Sequence, residues 1–199
     1  GAERPAPSGD GRSGARRCKV RSGLKQEAAA VEIDTTRFSK IRVEESELIG
    51  MRGRILGFEQ HKRFVLLTVE DNTPLCWLQS VDDPALAFVV VNPRIIKPDY
   101  NPIVNDGELE FLDIKNIDDI ALLAIVTVRS HPFRVTANLR APILINAANR
   151  MANQVVLDDP DYPIQYEIMD SKADFKTSLS DEYRNTGGLG KISLTVTTS

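Results

Sequence analysis

Apolar residues in this chain come in short runs, separated by charged residues or by turn formers. Over "TRFSKIRVEESELI" (36–49), Phe38, Ile41, Val43, Leu48 and Ile49 are spaced by charged neighbours, a pattern that predicts β structure from this point. Just upstream, "LKQEAAAVEI" (24–33) has the composition of a helix. "RFVLLTVE" (63–70) and "LCWLQSV" (75–81), parted by "DNTP", predict a hairpin. Phe64 and Trp77 suit its pleated surface. A turn at Asp82–Pro84 then leads to a buried strand over 87–91, and the Pro-punctuated "RIIKPDYNPIVNDG" (94–107) disfavours a long regular element. "ELEFLDI" (108–114) reads as a strand and "NIDD" (116–119) as one helical turn capped by Asn116. "IALLAIVTVRS" (120–130) is apolar enough to mimic a helix, but Ile125, Val126, Thr127 and Val128 favour a central strand. "FRVTANL" (133–139), "PILINAA" (142–148) and "NQVVL" (153–157) follow at the rhythm of an all-β fold. No internal repeat is present. The expectation is a small β-barrel-like single domain with a few short helical turns.

The tails differ from this body. Residues 1–30 are expected to be a disordered basic arm, 31–169 the β domain, and 170–199 a polar, flexible extension with one further strand candidate at "KISLTVT" (191–197). The 199 residues suffice for one real core, and 42% hydrophobic with 27% charged residues is ordinary for a globular chain. The net charge of −3 conceals an asymmetry. Arg4, Arg12, Arg16, Arg17, Lys19, Arg21 and Lys25, set against Glu3 and Asp10, make the first 25 residues +5 and leave −8 for the rest. An acidic body argues against nucleic-acid binding by the domain and for a basic protein partner. Cys18 and Cys76 lack metal spacing and are too few for a disulfide framework, which fits a reducing cytoplasm. No apolar run is long enough for a membrane helix, and the first residues lack a secretory apolar core. The chain also opens without an initiator Met, as a fragment or trimmed chain would.

Catalytic sets are sparse. His61 lies among charges in "FEQHKR" and His131 precedes Pro132, neither in a metal-binding pattern, and both read as surface histidines. Cys76, beside Trp77 in a strand, reads as a small buried hydrophobe. "TGGLGK" (186–191) lacks the strand–loop–helix setting of a phosphate loop. The acidic pairs Asp82–Asp83, Asp118–Asp119 and Asp158–Asp159, with Asp161, sit in turns where Asp closes loops. An enzyme would need Asp161 or Glu167 to converge with His131. A nucleic-acid-binding alternative would act through the basic arm, which carries no aromatic stacking residue. No cofactor or metal is expected.

Polar residues at the ends of apolar runs need another explanation. Asn138 and Asn146 bracket "LRAP", and Gln154 opens "VVL". Such residues bond loose backbone groups at the corners of a closed sheet. Together, "GFEQHKRFVLL", "CWLQSVDDPALAFVVVNP", "PDY", "AIVTV", "TANLRAPILIN" and "QVVLDDPDYP" resemble, in this order, the flagellar assembly factor family FliW, over about residues 33–168. The chain departs from the family pattern in "MRGRILGFE", which lacks the usual prolines, and at Ala147 and Ala152. The resemblance implies a β-barrel-like cytoplasmic protein that binds flagellin and the RNA-binding regulator CsrA. Export of flagellin would free it to capture CsrA, which then releases the flagellin messenger. Contacts are expected from loops in the family-like segments: Phe58, Glu59, Asp82, Asp83, Asp99 and Tyr100, supported by Asn138, Arg140 and Gln154. Tyr100, in a Pro-flanked loop, is the expected aromatic anchor. A monomer is expected, with no direct nucleic-acid or membrane contact.

Overall fold

A long antiparallel hairpin organises the chain, and the other strands close around it. The computed structural model describes residues 30–68 and 74–169. The strands are β1 (Ala30–Thr35), β2 (Ser39–Glu44), β3 (Leu48–Met51), β4 (Arg63–Thr68), β5 (Leu75–Ser80), β6 (Ala87–Val91), β7 (Ile120–Ser130), β8 (Phe133–Ala137), β9 (Ile143–Asn146), β10 (Met151–Gln154) and β11 (Tyr166–Met169). Two short helices, α1 (Pro93–Ile96) and α2 (Asp106–Phe111), lie between β6 and β7. Hydrogen bonding runs β7–β6–β5–β4–β3–β10–β9 and returns from β9 to β7, which closes a seven-stranded barrel. Only β3–β10 is parallel among these pairs.

β7 belongs to two structures at once. Its first residues pair with β9 (Leu123↔Ile143) and its later ones with β8 (Val126↔Ala137). Both partners lie antiparallel to it, so β8 and β9 form one return strand broken by the corner 138–142. Two residues of β7, Ala124 and Ile125, face the five of that corner. The surplus bends the return strand, as a large bulge would. On one side of the bend the barrel closes; on the other, β7, β8 and β11 run outward as a ribbon.

Register separates the faces. Ile49, Phe64, Leu78, Val90, Ile143 and Ala152 share the interior by direct pairing or alternation. Outward-facing Leu122, Ala124, Val91 and Leu144 are buried too, under residues 92–119 with Tyr100 and Leu112. Burial on both faces explains the unbroken apolar run of β7. The β1–β2 ribbon is a separate two-stranded sheet. Its Ile33 and Val43 pack on Val65, on the outside of β4, and Phe38 meets Trp77 edge-on at 6.2 Å.

Three expected elements differ. Residues 108–114 are not a strand: α2 starts at Asp106 because the Asn105 side chain accepts the Glu108 N–H at 2.9 Å, with Asp106 and Glu108 in the positive first turn. Residues 30–33 of the expected helix are strand. Val31 and Ile33 alternate with acids and pair with Val43 and Ile41, an arrangement local helix propensity cannot match. The strand expected over 153–157 ends at Gln154, since the Val155 and Leu157 N–H groups bond Pro142 O and Arg140 O in the corner instead. The arm, the extension and most of the "DNTP" turn lie outside the described residues. The Asn116-capped turn is present, with Asn116 Oδ1 accepting from Asp118 N at 3.1 Å.

Asn146 ties the layers together: its Nδ2 donates to Leu112 O at 3.0 Å and Asp113 O at 3.1 Å, closing the end of α2. Replacing Asn146 with Ala should cost about 2 kcal/mol, since buried carbonyls lose donors. Asn149→Ala, which removes a second donor to Leu112 O, should cost less. Urea unfolding midpoints of the two variants test the ranking.

Candidate partner-binding surface

The corner accounts for three of the candidate residues. Asn138 Oδ1 accepts from Ala141 N at 3.0 Å while its own N–H bonds Ile125 O. Gln154 spans the bend, donating to Ala141 O and accepting from Leu56 N, both at 2.9 Å. Arg140 Nε donates to Tyr162 O at 2.7 Å. All three brace backbone, so their side-chain polar groups serve the corner. Tyr100 overturns the expectation of an exposed anchor. It is 1% exposed, its ring lies 4.6 Å from that of Tyr162, and its hydroxyl donates to Leu139 O at 2.9 Å. Burial, with Tyr162 adding to it, pushes that hydroxyl well above the ordinary tyrosine value. The flanking prolines keep its loop out of the sheet, but the loop folds over the barrel wall and the ring becomes core.

The acidic candidates also have local partners. Asp82 accepts from the N–H groups of Lys62 (3.1 Å) and Arg63 (3.0 Å) and pairs with the Arg63 guanidinium at 2.7 Å, tying the 80–86 loop to the start of β4. Burial opposes its charge, yet the Arg63 side chain and these two N–H groups outweigh that and hold the carboxyl below its usual range. Asp83 Oδ1 accepts from Ala85 N, closing a turn. Asp99 is exposed and pairs with Lys97 at 2.7 Å. Glu59, also exposed, accepts from Gly57 N, and Gly57 takes a φ of +83° that favours glycine. Phe58 is half-buried, its ring edge-on to Phe88 at 4.9 Å.

Sequence reasoning missed the feature that unites this region. Three hollows, of about 600, 310 and 360 Å³, adjoin one another. Leu56 and Gln154 line the first two, and Val156 the first and third. Around them stand Leu56 (45% exposed), Phe111, Val156, Ile164 and Ile103 (89%), most of the large apolar side chains left exposed among the described residues. Leu56 is held outward because the 53–56 loop is pinned to β10. Arg54 N donates to Asn153 Oδ1 at 3.1 Å, and Gly53 lies so close to Asn153 that a side chain there would clash. Glu59, Glu108, Asp158 and Asp159 border the hollows with Arg54 and Lys62. An apolar patch rimmed by charges has the make-up of a protein-contact surface. The signal was the alternation in "QVVL", which exposes Val156 between buried Val155 and Leu157.

Reactive chemistry does not converge. Among the described residues no cluster of His, Cys, Asp or Glu could hold a metal ion. No helix there is long and apolar enough to cross a membrane. Cys76 is buried, and desolvation pushes its thiol up to about 11. Glu167 pairs with Arg134 at 3.0 Å, and none of the three hollows is lined by His131, Asp161 or Glu167.

Tyr100→Phe should lower stability by roughly 1 kcal/mol by leaving Leu139 O without its donor, read as a fall of about 2–4 °C in Tm. Asp82→Asn tests the β4 tie. A carboxyl held below its unfolded value stabilises above that value and loses its contribution as pH falls through the folded one. The variant should therefore be less stable than the parent at pH 7, with the gap closing as pH drops below the ordinary 3.8. Thermal unfolding of both proteins across pH gives the comparison.

Comparison with known proteins covers this same domain. A family model described as "FliW protein" matches residues 32–168. The flagellar assembly factor FliW of Syntrophus aciditrophicus is 50% identical over 142 residues, which is 71% of this chain and 90% of that protein. That of Geobacter sulfurreducens is 42% identical over 156 residues, 76% of this chain and 98% of its own length. A crystal structure of the flagellar assembly factor FliW superposes with a TM-score of 0.64 at 37% identity, covering 70% of this chain and 97% of its own. With the barrel, its corner and its exposed apolar face all inside the matched span, the chain belongs to the FliW family of flagellar assembly factors.

Proposed function

We propose that this protein binds flagellin and the regulator CsrA in the cytoplasm, and that flagellin export frees it to capture CsrA and relieve repression of flagellin translation. The observation that carries this reading is the apolar surface around Leu56 and Val156, within a domain matched along its whole length by flagellar assembly factors. A sequestering role needs a surface of this kind and no reaction centre. Flagellin termini are amphipathic helices, and an apolar trough suits the helix-in-groove mode. The −8 carried by residues 26–199 complements a basic RNA-binding partner, which would raise the association rate and reject wrong partners. Glu59 and Asp158, exposed at the border of this face, are the acidic residues best placed to contribute.

Isothermal titration of the full chain with flagellin and, separately, with CsrA from the same source tests the proposal. Both should bind, and pre-loading with flagellin should block CsrA. Leu56→Asp with Val156→Asp, both at exposed positions, should weaken at least one complex on the order of tenfold or more while leaving the circular dichroism spectrum unchanged. Binding to neither protein ends the proposal.

A further inference from the structure

The barrel is not sealed where β7 leaves it. Along the interior face of β7 the side chains pass from Leu123 and Ile125 to Thr127 and Arg129. On β8, Thr136 and Arg134 lie directly opposite Thr127 and Arg129. The apolar interior thus opens into a polar, cationic mouth. The hollow there measures about 310 Å³; Phe88, Ile125 and Ala141 line its apolar part, Phe58 and Ile164 flank it, and Arg129 is at its rim.

The two arginines are the informative feature. Like charges directly opposite in an antiparallel pair destabilise it. Arg134 is neutralised by Glu167, through Nε to Oε1 at 3.0 Å and a second contact at 3.4 Å. Arg129 makes no side-chain hydrogen bond or ion pair with any other described residue. A guanidinium without a counter-ion among the described residues, beside an apolar hollow, is matched by a carboxylate, which it can bind through two parallel hydrogen bonds. A basic segment would meet the charge of Arg129 and be repelled. Ile164, at 62% exposed, supplies apolar surface beside it for an occupant to cover.

We infer that the barrel mouth is a docking pocket for a protein segment presenting one bulky apolar side chain next to a carboxylate. The side chain enters over Phe88 and Ile125, and the carboxylate meets Arg129. The volume is at the small end for an independent ligand site, and the mouth is open, so it suits an anchoring side chain on a larger partner. The inference rests on the partner-binding reading above only for the owner of that segment; the pocket itself follows from the mouth.

The test uses the full chain labelled with nitrogen-15 and two probes, acetyl-Phe-Glu-amide and acetyl-Phe-Lys-amide. The acidic probe should perturb the amides of Thr127, Arg129, Thr136 and Gln165 saturably, and the basic one should bind on the order of tenfold more weakly. Arg129→Glu should reverse that preference while amides remote from the mouth stay in place. Equal affinity for the two probes, perturbation centred elsewhere, no reversal, or no saturable change at about 10 mM would each overturn the pocket. The parent and Arg129→Glu are then titrated with flagellin and CsrA. Weakened binding of either protein by the variant assigns the pocket to that partner. If the probes behave as expected but the parent binds neither protein, the pocket stands and the proposed function falls.

Discussion

Three surplus residues in the corner 138–142 set the shape of this molecule. Without them β8 and β9 would be one straight strand along β7, and neither the barrel nor the outward ribbon could form from that hairpin. Bending a strand in a buried position exposes backbone groups that the ladder would have paired, and each must find another partner. Here they do. Ala141 O is met by Gln154, Leu139 O by Tyr100, Leu139 N by Pro163 O, Pro142 O by Val155 N and Arg140 O by Leu157 N. The loop at 100, the strand β10 and the segment 155–163 are therefore held in place by the same corner.

A second polar residue does similar work on the opposite wall. Gln79 is fully buried, and its amide nitrogen lies 3.0–3.4 Å from the carbonyls of Ser80, Asp83, Pro84 and Leu86. Its Oε1 has no partner among the described residues, a cost accepted for gathering four carbonyls at one point. The loop so formed receives the β1–β2 turn, with Thr36 N on Pro84 O and the Arg37 guanidinium over Trp77 at 4.7 Å. Both walls thus follow one rule: a buried long amide side chain on a strand fixes an irregular loop beside it.

These constraints also create the apolar face proposed for partner binding. Gln154 accepts from Leu56 N and so holds Leu56 at the surface, while the corner's grip on Val155 and Leu157 leaves Val156 pointing outward between them. The apolar patch is a consequence of how the barrel is closed. A change to the corner should accordingly disturb partner binding and stability together, whereas changes to Leu56 or Val156 themselves separate the two.

Much of this was legible in the sequence. Periodicity placed most of the strands, the polar residues at "NLRAP" and Gln154 were readable as corner braces, and the spaced motifs of residues 33–168 pointed to the family. Those features are local: alternation, turn chemistry and short motifs act over a few neighbours. Tertiary structure alone decided the rest. Tyr100 became core because a loop distant in sequence from Leu139 brought its hydroxyl there, and Asp82 became a tie because β4 begins beside it. Val156 and Leu56, far apart in the chain, became one surface only when Gln154 joined their segments. Which side of a side chain meets water depends on pairings between distant strands, and those are set by the closed barrel as a whole rather than by any stretch of the chain.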